Sequence, residues 1–168
     1  MAKFKMKFDG GEPVSADPRY VEADLALEYR SASFQSRAGP PPQTSALGFE
    51  TLQLDCLLPD QRLCGLWGYA PARAWRIASL GQPPADREVG GLRVLSEGRM
   101  SAGIAYAVEG TWFKYFDRQT HWFCLRSEGE FSDEVPRTYM EFATRTVAEI
   151  CQEVLVAVWL HLSPAPLA

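Results

Sequence analysis

Residues 138–160 read TYMEFATRTVAEICQEVLVAVWL, and the fold class depends on how this stretch is interpreted. Thr138 and Glu141 have the spacing of a capping box, in which a threonine begins a helix and a glutamate three residues later completes the cap. Apolar residues then recur at intervals of three and four, as on one face of an α-helix; they are Met140, Ala143, Val147, Ile150, Cys151, Val154 and Val158. The stretch therefore predicts one long C-terminal helix, with a strand over 154–162 as the alternative.

The end of this stretch, residues 154–160, is apolar on every side of the predicted helix. One face of a sheet cannot cover all of that surface, and a large apolar surface left exposed usually marks an interaction site. A second copy of the chain would cover the remainder. We therefore expect a homodimer that packs through the C-terminal helix.

The chain before residue 138 shows the alternation of apolar and polar residues that predicts strands. KFKMKFD, residues 3–9, is the clearest case. Residues 20–30 also alternate and are interpreted as a strand beside the first, because their acidic face complements its lysines. Asp17 and Pro18 would permit a helix there instead. Many strands followed by one helix predict an α+β domain. We expect a strongly curved antiparallel sheet of about seven to nine strands, open or barrel-like, with the helix packed on it.

A hairpin is predicted over residues 51–70, TLQLDCLLPDQRLCGLWGYA, with its turn at Pro59 and Asp60. A turn at that point would place Cys56 opposite Cys64. The two thiols are interpreted as small buried apolar residues, and a disulfide between them under oxidising conditions stays open.

The domain organisation is simple, since no composition shift or repeat divides the chain. We expect a single domain over 1–168. Proline-rich and glycine-rich segments predict long surface loops at 36–46 and 81–91, and residues 163–168 are predicted to form a frayed tail.

Composition limits the classes of function. The formal net charge is −4, and the few lysines and arginines form no basic cluster that would favour nucleic acid as a partner. Neither a secretory signal nor an apolar run long enough to span a membrane is visible, so a cytoplasmic protein with free thiols is expected. Arginine outnumbers lysine 13 to 4, which is typical of a GC-rich bacterial genome.

Catalytic motifs are missing from the sequence. It contains no nucleophile elbow, no phosphate-binding glycine loop and no cysteine or histidine spacing typical of a metal site. We therefore expect no metal and no cofactor. His121 is the one candidate general base, with Asp117 and Tyr115 close in sequence, and it leaves a hydrolase or transferase as an alternative function.

An aromatic-rich hairpin is predicted over residues 111–125, TWFKYFDRQTHWFCL. Tryptophan, tyrosine and arginine are enriched where proteins bind one another. We therefore predict a non-enzymatic, cytoplasmic protein-binding module, an adaptor or inhibitor that occludes a partner's surface. Its expected binding residues lie on this hairpin, with one outlier from the preceding hairpin; they are Trp112, Lys114, Phe116, Trp122, Arg126 and Trp67.

The order of strands and then one helix resembles helix-grip and lipocalin-like ligand binders in outline. The chain departs from both, since it lacks short helices after the first strand and its Gly110-Thr111-Trp112 lies late for a lipocalin motif. This resemblance implies a small apolar ligand held within the sheet, and that is the first alternative function, ahead of the His121-dependent hydrolase or transferase. The small, acidic chain is also similar in composition to bacterial immunity proteins, which block toxins.

Overall fold

Strands form nearly all of the regular structure. The computed structural model describes residues 4–31, 39–129, 131–163 and 166. Strands make up 52% of the structure and helix 2%. Among the described residues, the helical part is one 3₁₀ turn, Ala72–Ala74. The strands are β1 (Lys5–Phe8), β2 (Ala16–Val21), β3 (Ala26–Ser31), β4 (Thr44–Phe49), β5 (Leu52–Leu57), β6 (Arg62–Tyr69), β7 (Arg76–Ile77), β8 (Glu88–Val89), β9 (Leu92–Leu95), β10 (Ala105–Ala107), β11 (Trp112–Phe116), β12 (Trp122–Ser127), β13 (Thr138–Ala143), β14 (Thr146–Cys151) and β15 (Val154–His161).

The predicted C-terminal helix is wrong. Residues 138–160 form three antiparallel strands instead, β13, β14 and β15, joined by tight turns. The helical spacing misleads because β14 is buried on both faces, and a strand buried on both faces does not alternate. The sequence also gives no turn signal between these strands. Arg145, Gln152 and Glu153 adopt a left-handed backbone, and turns with that backbone usually contain glycine or asparagine.

The α+β fold class is overturned with the helix. The protein is a curled, mixed sheet with three parallel strand pairs, β4–β10, β7–β11 and β8–β13. The main path runs β10-β4-β5-β6-β9-β1-β15-β12-β11-β7, while β14, β13 and β8 continue from β15, and β3 and β2 continue from β6. Val14 links the lead into β2 to the end of β13: it donates to the Phe142 carbonyl at 2.8 Å, and Thr144 donates to the Val14 carbonyl at 3.1 Å.

The helix that was expected to form the homodimer contact is absent, because residues 154–161 are a strand inside the sheet. Val158 lies between Ala148 of β14 and Leu125 of β12. Leu155 to Leu160 are all buried by the chain itself. The apolar run therefore needs no second copy to cover it.

Residues 20–30 contribute to two strands rather than one. β2 and β3 form a hairpin whose turn ends at Leu25, again with a left-handed backbone, φ 50°. The expected pairing with β1 is wrong, because β1 pairs with β9 and β15. The charged residues of both segments have other partners. Glu28 lies opposite Arg19 within the hairpin, and Lys5 of β1 forms an ion pair with Glu153.

Both predicted hairpins before residue 138 are confirmed, as β5–β6 and β11–β12. In the segments predicted as loops, β4 already begins at Thr44 and β8 occupies Glu88–Val89. Parts of the predicted loop and tail, 36–38, 164–165 and 167–168, lie outside the described residues. Within the described part of the chain, no helix is long and apolar enough to cross a membrane.

Two apolar clusters lie on opposite faces of the sheet. The larger fills the inside of the curl and includes Trp75, Phe116 and Phe123. The smaller covers the outside of β12, β14 and β15; it consists of Trp122, Cys124, Val147, Ala157 and Trp159, with Leu80, Tyr115 and Tyr139 packed against it. Strands β12, β14 and β15 are consequently covered on both sides.

Candidate functional site

The aromatic hairpin divides its rings between these two faces. In the β11–β12 register, Phe116 lies opposite Phe123, and Tyr115 lies opposite Cys124. Since directly opposite residues share a face, Trp112 and Phe116 point into the main core and Trp122 points to the other side. All three of these rings are buried by the chain's own residues.

The remaining predicted binding residues do not join them in one surface. Lys114 is largely buried and lies 3.9 Å from the carboxylate of Glu50. Arg126 is engaged in a buried ion pair on the outer face. Trp67 lies on the separate strand β6, where 40% of its surface is exposed. The structure thus distributes the six residues over three places.

The ion pair of Arg126 is centred on Glu149, which is 2% exposed. Arg126 donates to both carboxylate oxygens, at 3.1 and 2.7 Å. Trp159 donates its indole N–H at 3.0 Å, and Nε of Arg137 lies 3.4 Å away. A buried carboxylate needs this many partners to offset its lost hydration. This group is a structural network on the outer face.

His121, the candidate base, lies at the end of the β11–β12 turn with a left-handed backbone, φ 62°. Its ring stacks on Phe116 and lies 6.5 Å from the ring of His161. Burial, with Arg145 and His121 nearby, lowers the pKa of His161. The two histidines therefore meet at the end of the sheet, although they are 40 positions apart in sequence.

Asp117, the expected carboxylate partner of His121, has another role. Its carboxylate accepts backbone N–H groups from Gln119 at 2.8 Å, Thr120 at 3.2 Å and Leu80 at 3.0 Å. These hydrogen bonds lower the pKa of Asp117. The carboxylate shapes the turn and anchors the chain after β7, so it is committed to structure rather than to orienting an imidazole.

Asp55 accepts two side-chain hydrogen bonds behind the exposed Trp67. Tyr29 donates its phenol O–H to one carboxylate oxygen, and Trp67 donates its indole N–H to the other at 2.8 Å. Burial raises the pKa of Asp55, and the two hydrogen bonds oppose that rise. Burial, together with Cys64 and Asp55, raises the pKa of Tyr29. The phenol consequently stays protonated and serves as a donor.

The expected pairing of Cys56 opposite Cys64 is altered by a bulge. Cys56 lies opposite Leu63, and two residues of β6, Cys64 and Gly65, face Asp55. A Cβ on Gly65 would overlap the ring of Tyr29, which lies on the backbone there. Both cysteines are buried, free thiols, and burial raises the pKa of Cys64 to about 12. A thiol with so high a pKa is a poor nucleophile.

A cleft of about 360 Å³ opens where the 3₁₀ turn and β7 meet the β2–β3 turn. Its walls are mainly apolar, and three charged side chains stand among them; the lining consists of Tyr20, Glu22, Leu25, Pro71, Ala72, Arg73, Trp75, Ile77, Phe116, Arg118 and Pro166. Ligand pockets commonly have such a volume and such walls.

Local structure explains why these distant segments meet. Pro71 begins the 3₁₀ turn, and the backbone N–H of Ala72 donates to the phenol oxygen of Tyr20 at 3.0 Å. Strand β7 then pairs in parallel with β11, which places Ile77 beside Phe116. The turn is thereby fixed to β2 at one end and to β11 at the other.

Trp75 is the central wall of the cleft. Its ring meets Tyr20 edge to face at 5.2 Å, Phe123 at 4.8 Å and Phe116 at 5.5 Å. Such aromatic pairs stabilise the packing of their rings beyond the effect of the buried area, which holds the Trp75 side chain in place. The cleft therefore has a rigid aromatic wall. The Trp75 indole N–H is buried and has no hydrogen-bond partner among the described residues.

Sequence reasoning missed this cleft. The sequence of residues 72–80, ARAWRIASL, is typical of one ordinary strand, whereas the structure has a 3₁₀ turn at Ala72–Ala74 and a short strand at Arg76–Ile77. The signal for the turn is Pro71, which favours the start of a helical turn. No signal links that segment to Tyr20 or Arg118, because the contact is made only by the folded sheet.

In the described ranges, no group of three or more His, Cys, Asp or Glu side chains could hold a metal ion. No protein-family model and no curated protein sequence matches the chain. The geometry of the cleft is therefore the main guide to function.

Proposed function

We propose that the protein is a non-enzymatic binder of a small molecule with an apolar body, which it holds in the cleft beside Trp75. The observation that carries this proposal is the cleft itself, about 360 Å³ with aromatic and aliphatic walls. A volume of this size accommodates a ligand of one to three rings, and apolar walls supply affinity through surface removed from water.

Preorganisation of the walls supports the proposal. Trp75 is 5% exposed and packs on three other rings, so it loses little side-chain freedom when a ligand binds. Rigid walls of this kind favour affinity because less conformational entropy is lost on binding.

The test is a substitution in the wall of the cleft that places a large side chain inside it and is expected to block ligand binding. Ala72 and Ala74 lie on the same 3₁₀ turn, but only Ala72 lines the cleft. The probe is N-phenyl-1-naphthylamine, a neutral fluorescent dye that brightens in apolar sites. We expect micromolar binding to the wild type and a loss of about tenfold or more in Ala72→Phe, which places a ring in the cleft. Ala74→Phe, the matched control, should bind as the wild type does.

Urea denaturation establishes that each variant is folded before its affinity is compared. Ile77→Trp provides a second way of filling the cleft, since Ile77 also lines it and is already half exposed. Equal affinity in the wild type, both filled variants and the control would place the dye elsewhere and contradict the proposal.

A second candidate function, protein binding, is favoured by the exposed rings of β6. Trp67 and Tyr69 are 40% and 51% exposed and lie on the same side of the strand. The hydrogen bond from Trp67 to Asp55 fixes one of the rings. Rigid, exposed tryptophan and tyrosine side chains are typical anchors of protein interfaces. Of the six binding residues predicted from the sequence, Trp67 is the one that lies on this surface.

Affinity capture with the wild type and two variants tests this second candidate. A specific partner should be retained by the wild type and by Phe8→Ser, which removes another exposed ring on β1. The double variant Trp67→Ser, Tyr69→Ser should lose that partner. If the double variant retained every captured protein, this surface would not be the binding site.

A cytoplasmic location belongs to both proposals and is supported by the four free thiols, which a reducing compartment preserves.

A further inference from the structure

The rim of the cleft is positively charged although the protein is acidic. Arg73 extends from the 3₁₀ turn and Arg118 from the β11–β12 turn, and both line the same cleft. Among the described residues of the lining, Glu22 is the one acidic side chain, so two positive charges there stand against one negative. The whole chain carries a formal charge of −4. The described lining of the cleft therefore has a net positive charge, whereas the whole chain has a net negative charge.

Arg73 and Arg118 differ from five other arginines of the described chain, which form ion pairs with carboxylates; these five are Arg87, Arg93, Arg126, Arg137 and Arg145. Neither Arg73 nor Arg118 makes an ion pair with another described residue. Glu22 is engaged in an interaction of its own. Two guanidinium groups beside an apolar cleft thus keep their donors available.

We infer that the ligand of this cleft is an amphipathic anion, with an apolar ring system against Trp75 and Phe116 and a carboxylate, sulfonate or phosphate group paired with Arg73 and Arg118. This inference rests on the proposed function and adds the chemical class of its ligand. Arginine suits the task, because its planar guanidinium stays charged and binds such oxyanions through two N–H groups.

A pair of dyes separates the charge from the apolar body. 1-Anilinonaphthalene-8-sulfonate has the rings of N-phenyl-1-naphthylamine and one added sulfonate. Both are titrated against the wild type, the double variant Arg73→Gln, Arg118→Gln, and the control Arg30→Gln. Arg30 is exposed on β3 and does not line the cleft.

The double variant should bind the sulfonate dye about tenfold more weakly, since an exposed ion pair contributes about threefold to fivefold to affinity. Its affinity for the neutral dye should change less than about twofold, and Arg30→Gln should leave both affinities unchanged. Added salt should weaken the sulfonate dye alone in the wild type.

Each contrary outcome has its own meaning. If the double variant loses affinity for both dyes equally, or for neither, the anion inference is overturned while ligand binding stands. If the neutral dye fails to bind the wild type, or binds equally after Ala72→Phe, the proposed function itself fails. A sulfonate dye that still binds fully after Ala72→Phe is on the surface, and that result also overturns the inference.

Discussion

At the scale of single residues, Glu149 organises the outer face of the sheet. It lies on β14, receives the guanidinium of Arg126 from β12 and the indole of Trp159 from β15, and thus joins three neighbouring strands through side chains. A carboxylate that is 2% exposed is stable in this position because both of its oxygens accept hydrogen bonds.

Glu149→Gln should lower the free energy of unfolding by about 3 kcal/mol, because Arg126 and Arg137 would keep their charges without a counterion. This value is at the low end for broken buried pairs, since the arginines reach water in part. Urea denaturation measures the change. The matched control is Glu153→Gln, which breaks the exposed pair with Lys5 and should cost less than about 0.5 kcal/mol. Equal losses in the two variants would refute the role given to burial.

At the scale of elements, the β14–β15 turn explains why the fold class is hard to predict. Gln152 and Glu153 both have a left-handed backbone, with φ of 48° and 66°. Two-residue hairpin turns of this kind favour Asn-Gly, which would have marked a turn plainly in the sequence. Without that mark, β14 and β15 run together as one apolar segment with spacings of three and four. Local pattern alone cannot then distinguish two buried strands from one helix.

Replacement of Gln152 and Glu153 by Asn and Gly should raise the free energy of unfolding by about 1 kcal/mol. The left-handed backbone costs about 1–2 kcal/mol for an ordinary residue, and the freedom of glycine in the unfolded chain offsets part of the gain. Denaturant midpoints measure the effect. Glu153→Gln serves as the control, because it removes the charge and keeps the strained backbone. A double variant no more stable than that control would show that the turn carries no such strain.

At the scale of the whole molecule, predictability depends on how far apart in sequence the contacts lie. The hairpins β5–β6 and β11–β12 were predictable, since a turn signal and two alternating runs adjoin each other in both cases. The positions of Trp112, Phe116 and Trp122 on their strands were predictable too. The residues that cover them were not, because Phe49, Trp75 and Trp159 come from other strands and turns. The cleft could not be predicted from the sequence for the same reason, because its walls come from segments that lie far apart in the chain.

Strand β15 is hydrogen-bonded to β1, β12 and β14. A ribosome translates residues 154–161 after all three of those neighbours, so the nascent chain carries several unpaired strand edges until they emerge. Such edges are templates for other chains, which makes this the interval of greatest need for a chaperone. A chain that ends before residue 154 is therefore expected to aggregate rather than to fold as a slightly less stable protein. One centrally placed strand thus makes solubility depend on the synthesis of residues 154–161.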